Sequence, residues 1–418
     1  MTAFDQQVVP LLAKGLPRWR HDQMRAAYEV FAGLDEPTGA EEDWRYVNLE
    51  LPFSELSPAV EPGEPLQPGP FVGAVEESIG HVLVVDGHVV EIDSTHLIVK
   101  RLAEIEERSL SKVPPDHNKF AAAHAAFASD GVFVDVPSGH VSEAPLVVEI
   151  QGVTPGTASF PQLSITVGEN AEAQILVVYR SAEESRLLMV PNIDLNLKDG
   201  GRLRFVSVQS LDHVASSIVH QRMTLGRDAT GRLGEVGLGG DFARLDLGVN
   251  LEGHGSSSEM VGLYFGEGSQ TLDYRMLINH SGKNTSSDVF LKGAVEDDSQ
   301  SVFTGLLRIE KDATRTSTFE TNRNLVLSEN AKANSVPNLE ILCDDVICGH
   351  ASSVGPLEED SLYYLQSRGL SKQRAERLLI KGFFQEVIDR LPVGGIAAPV
   401  SEEVFSRFVH AQEEGRVA

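Results

Sequence analysis

Cysteine is almost missing from this chain: two of 418 residues, Cys343 and Cys348. Two cysteines cannot build a disulfide framework, and so sparse a usage suits a reducing compartment. No run approaches the roughly 18 apolar residues that a membrane-spanning helix needs. The opening Met1-Thr2-Ala3-Phe4-Asp5 has neither a basic segment nor an apolar stretch behind it, so no secretory leader is expected and the reading is cytoplasmic. Basic charge is also scarce, 35 Lys and Arg against 61 Asp and Glu, for a net charge of −26. Nucleic-acid phosphates need clustered Lys and Arg, and anionic membranes are disfavoured likewise, so neither is an expected partner. The acidity is read as solubility.

Enzyme signatures are missing as well. Gly282-Lys283-Asn284-Thr285 has Leu277 where a phosphate loop needs its first glycine, and Asn284 where it needs Ser or Thr. The glycines from Gly234 to Gly240 fail as a dinucleotide fingerprint because Phe242 takes the last position; tight corners account for them better. No G-x-S-x-G or H-E-x-x-H occurs. Asp344 and Asp345 are neighbours, so on a strand they point to opposite faces and make a poor acid–base pair. A carbohydrate-active solenoid is the rival reading, but only 6% of residues are aromatic, few for the platforms such a site uses.

What the chain does carry is periodicity. An apolar content of 41% supports a sizeable core. Near the start, Met24, Ala27, Tyr28 and Phe31 make one helical stripe that Gly33 is placed to end. Residues 35–70 read largely as loop and residues 81–92 as a hairpin turning at Asp86-Gly87. Further helices are expected over 97–108 and 117–128. From about residue 131 to 355, strand-like runs alternate with short turns centred at 170, 199, 228, 255, 284, 312 and 330. The first six lie 27 to 29 residues apart, the last only 18. Turn residues at near-constant spacing suggest stacked coils, each unable to bury its apolar face alone. Ile175 to Tyr179 reads as a strand buried on both sides, and Leu203 and Phe205 alternate with Arg202 and Arg204 as in a half-buried one. A parallel β-helix, or β-solenoid, fits better than an antiparallel sandwich. The reading has three regions: a mixed N-terminal region over residues 1–128, a β-helix over 129–356 and a helical region over 357–418.

In that last region Ser361 is the expected cap for residues 362–368, Gly369 closes that helix and Ser371 caps the next. There Ala375, Leu379, Phe383, Val387 and Leu391 step by four, widened by Leu378, Ile380, Phe384 and Ile388. A final helix is expected from Ser401, with Val404, Phe405, Phe408 and Val409 on one side. This broad apolar surface reads equally as a cap on the open solenoid end, as helices packed on one another, or as a docking face for a partner. Just before it, Cys348 and His350 are two apart in a strand-like run and so share a face. Thiolate and imidazole together suit zinc or iron. Cys343 sits at odd offset and would face away unless a turn intervenes. Spacing alone favours the plainer reading, in which the cysteines are small hydrophobes and the histidine a packing residue.

The run Asn322-Arg323-Asn324-Leu325-Val326-Leu327-Ser328-Glu329-Asn330-Ala331, then Pro337-Asn338-Leu339-Glu340-Ile341, then Asp344-Asp345-Val346, Cys348-Gly349-His350 and Val354-Gly355 resembles the SufB/SufD family of iron–sulfur cluster assembly proteins. Tyr364-Leu365-Gln366-Ser367-Arg368-Gly369-Leu370, Gly282 to Ser287 and Glu42-Asp43-Trp44-Arg45-Tyr46 add to it, and the Asp-Asp-Val-x-Cys-x-His order resembles the SufD branch. The resemblance implies a mainly β fold, a right-handed parallel β-helix between an N-terminal α/β region and C-terminal helices. It implies a non-catalytic scaffold subunit with two partners, a SufB-like paralogue at the β-helix edge and a SufC-like ATPase. The ATPase would dock on the C-terminal helices, with Leu379, Phe383, Phe384 and Val387 as expected contacts. His350, and with less definition Cys348, would meet iron at the paralogue interface; Cys343 takes no role. The resemblance implies no cofactor held stably by the chain alone, only transient iron or a nascent cluster in the complex. A homodimer stays open, as does an interaction module in which His350 only packs and meets no metal.

Overall fold

Ten-residue strands recur in this protein because short turns close each half-coil at a residue that accepts left-handed backbone. Asn170 (φ 52°), Gly200 (φ 68°), Asp228 (φ 55°), Gly255 (φ 74°) and Asn284 (φ 54°) stand at successive crossings from one sheet to the other. Gly268 (φ 59°) and Asp297 (φ 55°) occupy the opposite corner. Glycine, Asn and Asp tolerate this conformation best. Two expectations shift by a few residues: the left-handed residue is Gly200 rather than Asp199, and Arg315 (φ 61°) rather than Asp312. The turn at residue 330 joins Thr316–Val326 to Lys332–Ile341 and therefore lies at the other corner, which explains its short spacing.

The computed structural model describes residues 4–47, 49, 51–94 and 97–413; Met1 to Ala3, on which part of the leader reading falls, lie outside them. Among the described residues two sheets face one another across eight stacked coils. The first sheet runs from Val132–Val136 to Lys332–Ile341, the second from Leu146–Gly152 to Val346–Gly355. Every solenoid pair is parallel, and register holds from coil to coil, as in Phe242↔Thr271↔Gln300↔Lys332 and Ser257↔Ser286↔Ser317↔Ile347. A parallel β-helix is thus the fold. The N-terminal region joins its sheets. Gly80–Val85 runs parallel to Leu146–Gly152 and antiparallel to His88–Ser94, turning at Asp86 (φ 48°) and Gly87 (φ 84°), so the hairpin forms where the sequence placed it.

The expected helix over residues 97–108 does not form. Ile98–Arg101 is a strand antiparallel to Val132–Val136, followed by a single 3-10 turn, Leu102–Glu104. Pairing with an otherwise open sheet edge outweighs a short helical pattern in a segment starting with two β-branched residues. The helices are α1 (Val9–Leu12), α2 (Arg18–Gly33), α3 (Pro70–Gly73), α4 (Lys119–Phe127), α5 (Glu359–Ser367), α6 (Lys372–Ile388) and α7 (Ala397–Glu413). Met24, Ala27 and Phe31 bury on α2 as the stripe required. Asn118 caps α4, accepting from the Ala121 N–H at 2.8 Å. Ser371 caps α6, but Ser361 lies inside α5 with its hydroxyl on Glu358, the true cap position. α7 starts at Ala397, so Pro399 sits in its first turn, where a missing N–H costs nothing.

Three apolar regions hold the layers together. Inward residues of both sheets fill the solenoid. α2, α4 and nearby aromatics cover the outer face of the first sheet through Phe160, Ile218 and Phe242. α6 and α7 cover the outer face of the second sheet through Val206, Val261, Phe265 and Phe290. The helices therefore flank the solenoid instead of capping its C-terminal end. That end is left bare at Lys332–Ile341 and Val346–Gly355.

Candidate functional site

The bare end takes its chemistry from strand alternation. Thr316, Thr318, Glu320, Asn322 and Asn324 on strand Thr316–Val326 are buried and face inward, while Phe319 and Arg323 between them are exposed. Strand Val346–Gly355 pairs in parallel with it, Thr318↔Cys348, Glu320↔His350 and Asn322↔Ser352. Residues paired across a ladder share a face. Cys348, His350 and Ser352 thus lie on the inward face of the last coil. The Ser352 hydroxyl donates to Ser335 Oγ on the facing strand at 2.8 Å, across the interior. His350 is exposed and Cys348 half-buried because no further coil covers them. The two share one face, as their spacing required.

Cys343 is not on a strand. It lies in the turn between Lys332–Ile341 and Val346–Gly355, buried against Ile309 and Ala313, and Cys348 packs on the same small cluster. Both thiols are free. The turn at Asp344 and Asp345, anchored by the Arg315 N–H on the Asp345 carbonyl, brings together two cysteines that an unbroken strand would have separated. Beneath His350, Glu320 is 1% exposed and neither carboxylate oxygen has a hydrogen-bond partner. Burial pushes its carboxyl up to about 7. Sequence reasoning passed over Glu320, whose signal is its place inside an alternating strand next to the Cys348 and His350 strand.

A second cluster was also missed. Ligating atoms of His117, His220 and Asp246 all lie within 4.8 Å of one another, the one such group among the described residues. His117 and Asp246 line a cleft of about 820 Å³ between the N-terminal region and the first sheet, and His220 is buried beside them. The atoms that face one another there are already engaged. His117 Nε2 lies 2.8 Å from Asp246 Oδ2, and Arg222 donates to the same oxygen at 2.9 Å. His220 meets Asn192 through Nδ1 and Asn118 through Nε2. Burial holds His220 neutral, its pKa lowered to about 3. Burial works against the Asp246 carboxylate too, but His117 and Arg222 keep it well below its usual range. A cation would have to displace a guanidinium, so the network is a clasp between α4 and the first sheet. Its members, far apart in sequence, gave no spacing to read. Beside it, Arg244 stacks 3.5 Å from the Trp44 ring and donates to Asp273 at 2.6 Å, fastening the 42–46 segment.

The expected partner-binding residues divide. Phe384 and Val387 are sealed against the second sheet. Leu379 and Phe383 are half-buried, and Leu378, Tyr363, Tyr364 and Phe405 are exposed. Packing on the solenoid thus accounts for Phe384 and Val387, while the outer surface of α5 to α7 stays free. Polar ties lock the helix down. Lys292 donates to the Phe383 carbonyl and to Glu386, each at 2.7 Å, and Arg390 reaches Glu259 and Asp288.

Comparison with known proteins identifies relatives of this chain. Residues 150–383 match the family model described as SUF system FeS cluster assembly, SufBD core domain. The chain is 36% identical over 259 residues to an iron-sulfur cluster assembly SufBD family protein of Mycobacterium bovis, covering 60% of this chain and 64% of that one. It is 32% identical over 326 residues to a SufBD family protein of Mycobacterium leprae, covering 74% and 81%. To the iron-sulfur cluster assembly protein SufD of Bacillus subtilis it is 31% identical over 287 residues, covering 68% and 65%. The chain therefore spans slightly under two thirds of the M. bovis relative.

Proposed function

The chain belongs to the SufB/SufD family of iron–sulfur cluster assembly proteins, and on that footing we propose that it is a non-catalytic scaffold subunit, cytoplasmic, that presents His350 to iron at an interface with a SufB-like paralogue. One observation carries the reading. The last strand, Val346–Gly355, is an uncovered sheet edge whose inward face bears Cys348 and His350. An open edge adds readily to a second chain's strand. Phe319, Leu342, Ile347 and Val354 are exposed around it, apolar surface that a partner would cover. A second copy of this chain could occupy the same edge in a homodimer. No described helix is long and apolar enough to cross a membrane.

Iron here is cargo. His350 would offer it a neutral imidazole and Cys348 a thiolate, with the paralogue completing the ligand set. A SufC-like ATPase would grip the outer surface of α5 to α7. Its movement has a short route to the site. Lys292 and Asp288, which tie down α6 and Arg390, sit on strand Ser286–Val295; that strand pairs with Thr316–Val326, which pairs with Val346–Gly355. Displacing α6 would strain the sheet that carries His350 at its edge.

The test is His350→Ala in the reconstituted three-component assembly. Cluster formation, followed by its visible absorption, should drop severely while the subunits still co-purify. Undiminished formation would remove the metal role and leave the scaffold.

A further inference from the structure

The inward ladder of strand Thr316–Val326 is polar, and all but one of its members are satisfied. Thr316 donates to the Ala313 carbonyl and meets Thr285, and Thr318 meets Ser287 at 2.6 Å. Asn322 accepts from Asn324, which also takes the Tyr264 hydroxyl. Glu320, in the middle of this run, has no partner on either oxygen although it is 99% buried. A buried carboxylate left alone is costly, and a chain that needed only to fill the space could use an apolar residue. The facing wall makes room for it. A Cβ on Gly305 would lie 2.1 Å from Glu320 Oε2, so a glycine is what admits the carboxylate there. The unpartnered group lies one coil beneath His350, its register neighbour, with Cys348 two residues along on the same inward face.

Resting on the reading above, we propose that Glu320 is the inner ligand of the solenoid mouth, and that Glu320, His350 and Cys348 of a single chain hold a divalent transition cation of the ferrous class. Carboxylate, imidazole and thiolate are the donor set that such borderline cations accept, and three donors leave positions open for sulfide or a partner's ligand. The buried carboxylate supplies the negative charge that a cation leaving water requires, and the cation supplies the partner that Glu320 lacks. In this structure the three ligating atoms are not all within 4.8 Å of one another, unlike those of the His117 group. Closure needs the exposed His350 side chain to turn down toward the carboxylate. Because His350 is at the surface, that rotamer change displaces no core residue.

The experiment is a titration of the purified full-length chain with Co²⁺, read by its visible ligand-field bands and thiolate charge-transfer absorption. The wild type should give both signals, and Glu320→Gln should weaken the affinity about tenfold or more. Glu320→Asp, which keeps the charge but shortens the reach, should weaken it as well. Thermal melting checks the fold, and Glu320→Gln should melt no lower than the wild type because it removes an uncompensated buried acid. Cobalt affinity unchanged in a folded Glu320→Gln chain, or no cobalt binding by the wild type, would overturn the proposal. If His350→Ala abolishes cobalt binding while Glu320→Gln does not, Glu320 is no ligand, and the role of His350 in assembly stands. If Glu320→Gln weakens cobalt binding but cluster formation ignores His350→Ala, the cation site stands and only the role of His350 in cluster formation falls.

Discussion

Glu235 shows how the solenoid interior acts on a single side chain. It faces the core, takes a hydrogen bond from Ser207 and another from Gln221 at 2.7 Å, and lies near the Tyr179 and Tyr274 rings. Burial outweighs both hydrogen bonds and lifts its carboxyl from 4.5 to about 7. The folded chain therefore holds this proton over a pH range in which the unfolded chain has released it. The stabilisation is complete below about 4.5 and is lost as pH rises through about 7. Glu235→Gln should remove that slope. Urea midpoints at pH 5 and pH 8 should show the wild type losing up to about 3 kcal/mol relative to the variant; parallel profiles would refute it. Residues such as Glu235, Glu320 and Arg244 looked ordinary in the sequence because a charge has no period of its own. Only the side of the strand it falls on, and what stands opposite, makes it unusual.

Among the elements, α6 is a helix that closes over the second sheet. Its i+4 stripe was plain in the sequence, but the surface it meets was not. Ile380, Phe384, Val387 and Ile388 close over valines and phenylalanines drawn from several coils of the second sheet. Phe384→Ala should destabilise the protein by about 3–5 kcal/mol through lost burial and a cavity. Thermal melting would show the loss, and limited proteolysis should release the C-terminal segment sooner than in the wild type. Strand expectations held where burial sets the pattern, on both faces over residues 175–179 and on one face over residues 202–205. The 97–108 segment misled because its fate rested on a distant sheet edge.

For the molecule as a whole, the helices lie along the side of the solenoid and leave its end free. Deleting residues 357–418 should therefore do two separable things. It should bare the apolar face around Val206, Val261 and Phe265, raising binding of a hydrophobic dye. It should also abolish co-purification with a SufC-like ATPase while leaving retention by a SufB-like paralogue largely intact. Loss of both partners together, or retention of the ATPase, would contradict the separation of the two faces. The solenoid could be inferred from turn spacing before any coordinates, and its flanking helices from their stripes. Which surfaces the helices would cover could not, since apolar stripes specify burial without naming what buries them.

Local patterns in the chain determined the coils, the hairpin, the end of α2, the start of α6 and the common face of Cys348 and His350, because each depends on backbone geometry over a few neighbouring residues. Tertiary structure alone decided that Cys343 packs against Ile309 and Ala313, that Glu320 lies unpartnered beneath His350, and that His117, His220 and Asp246 meet. Those outcomes depend on register between strands about thirty residues apart and on which sheet face a helix covers. Stacking sets these relations through space, and no short window of sequence contains them.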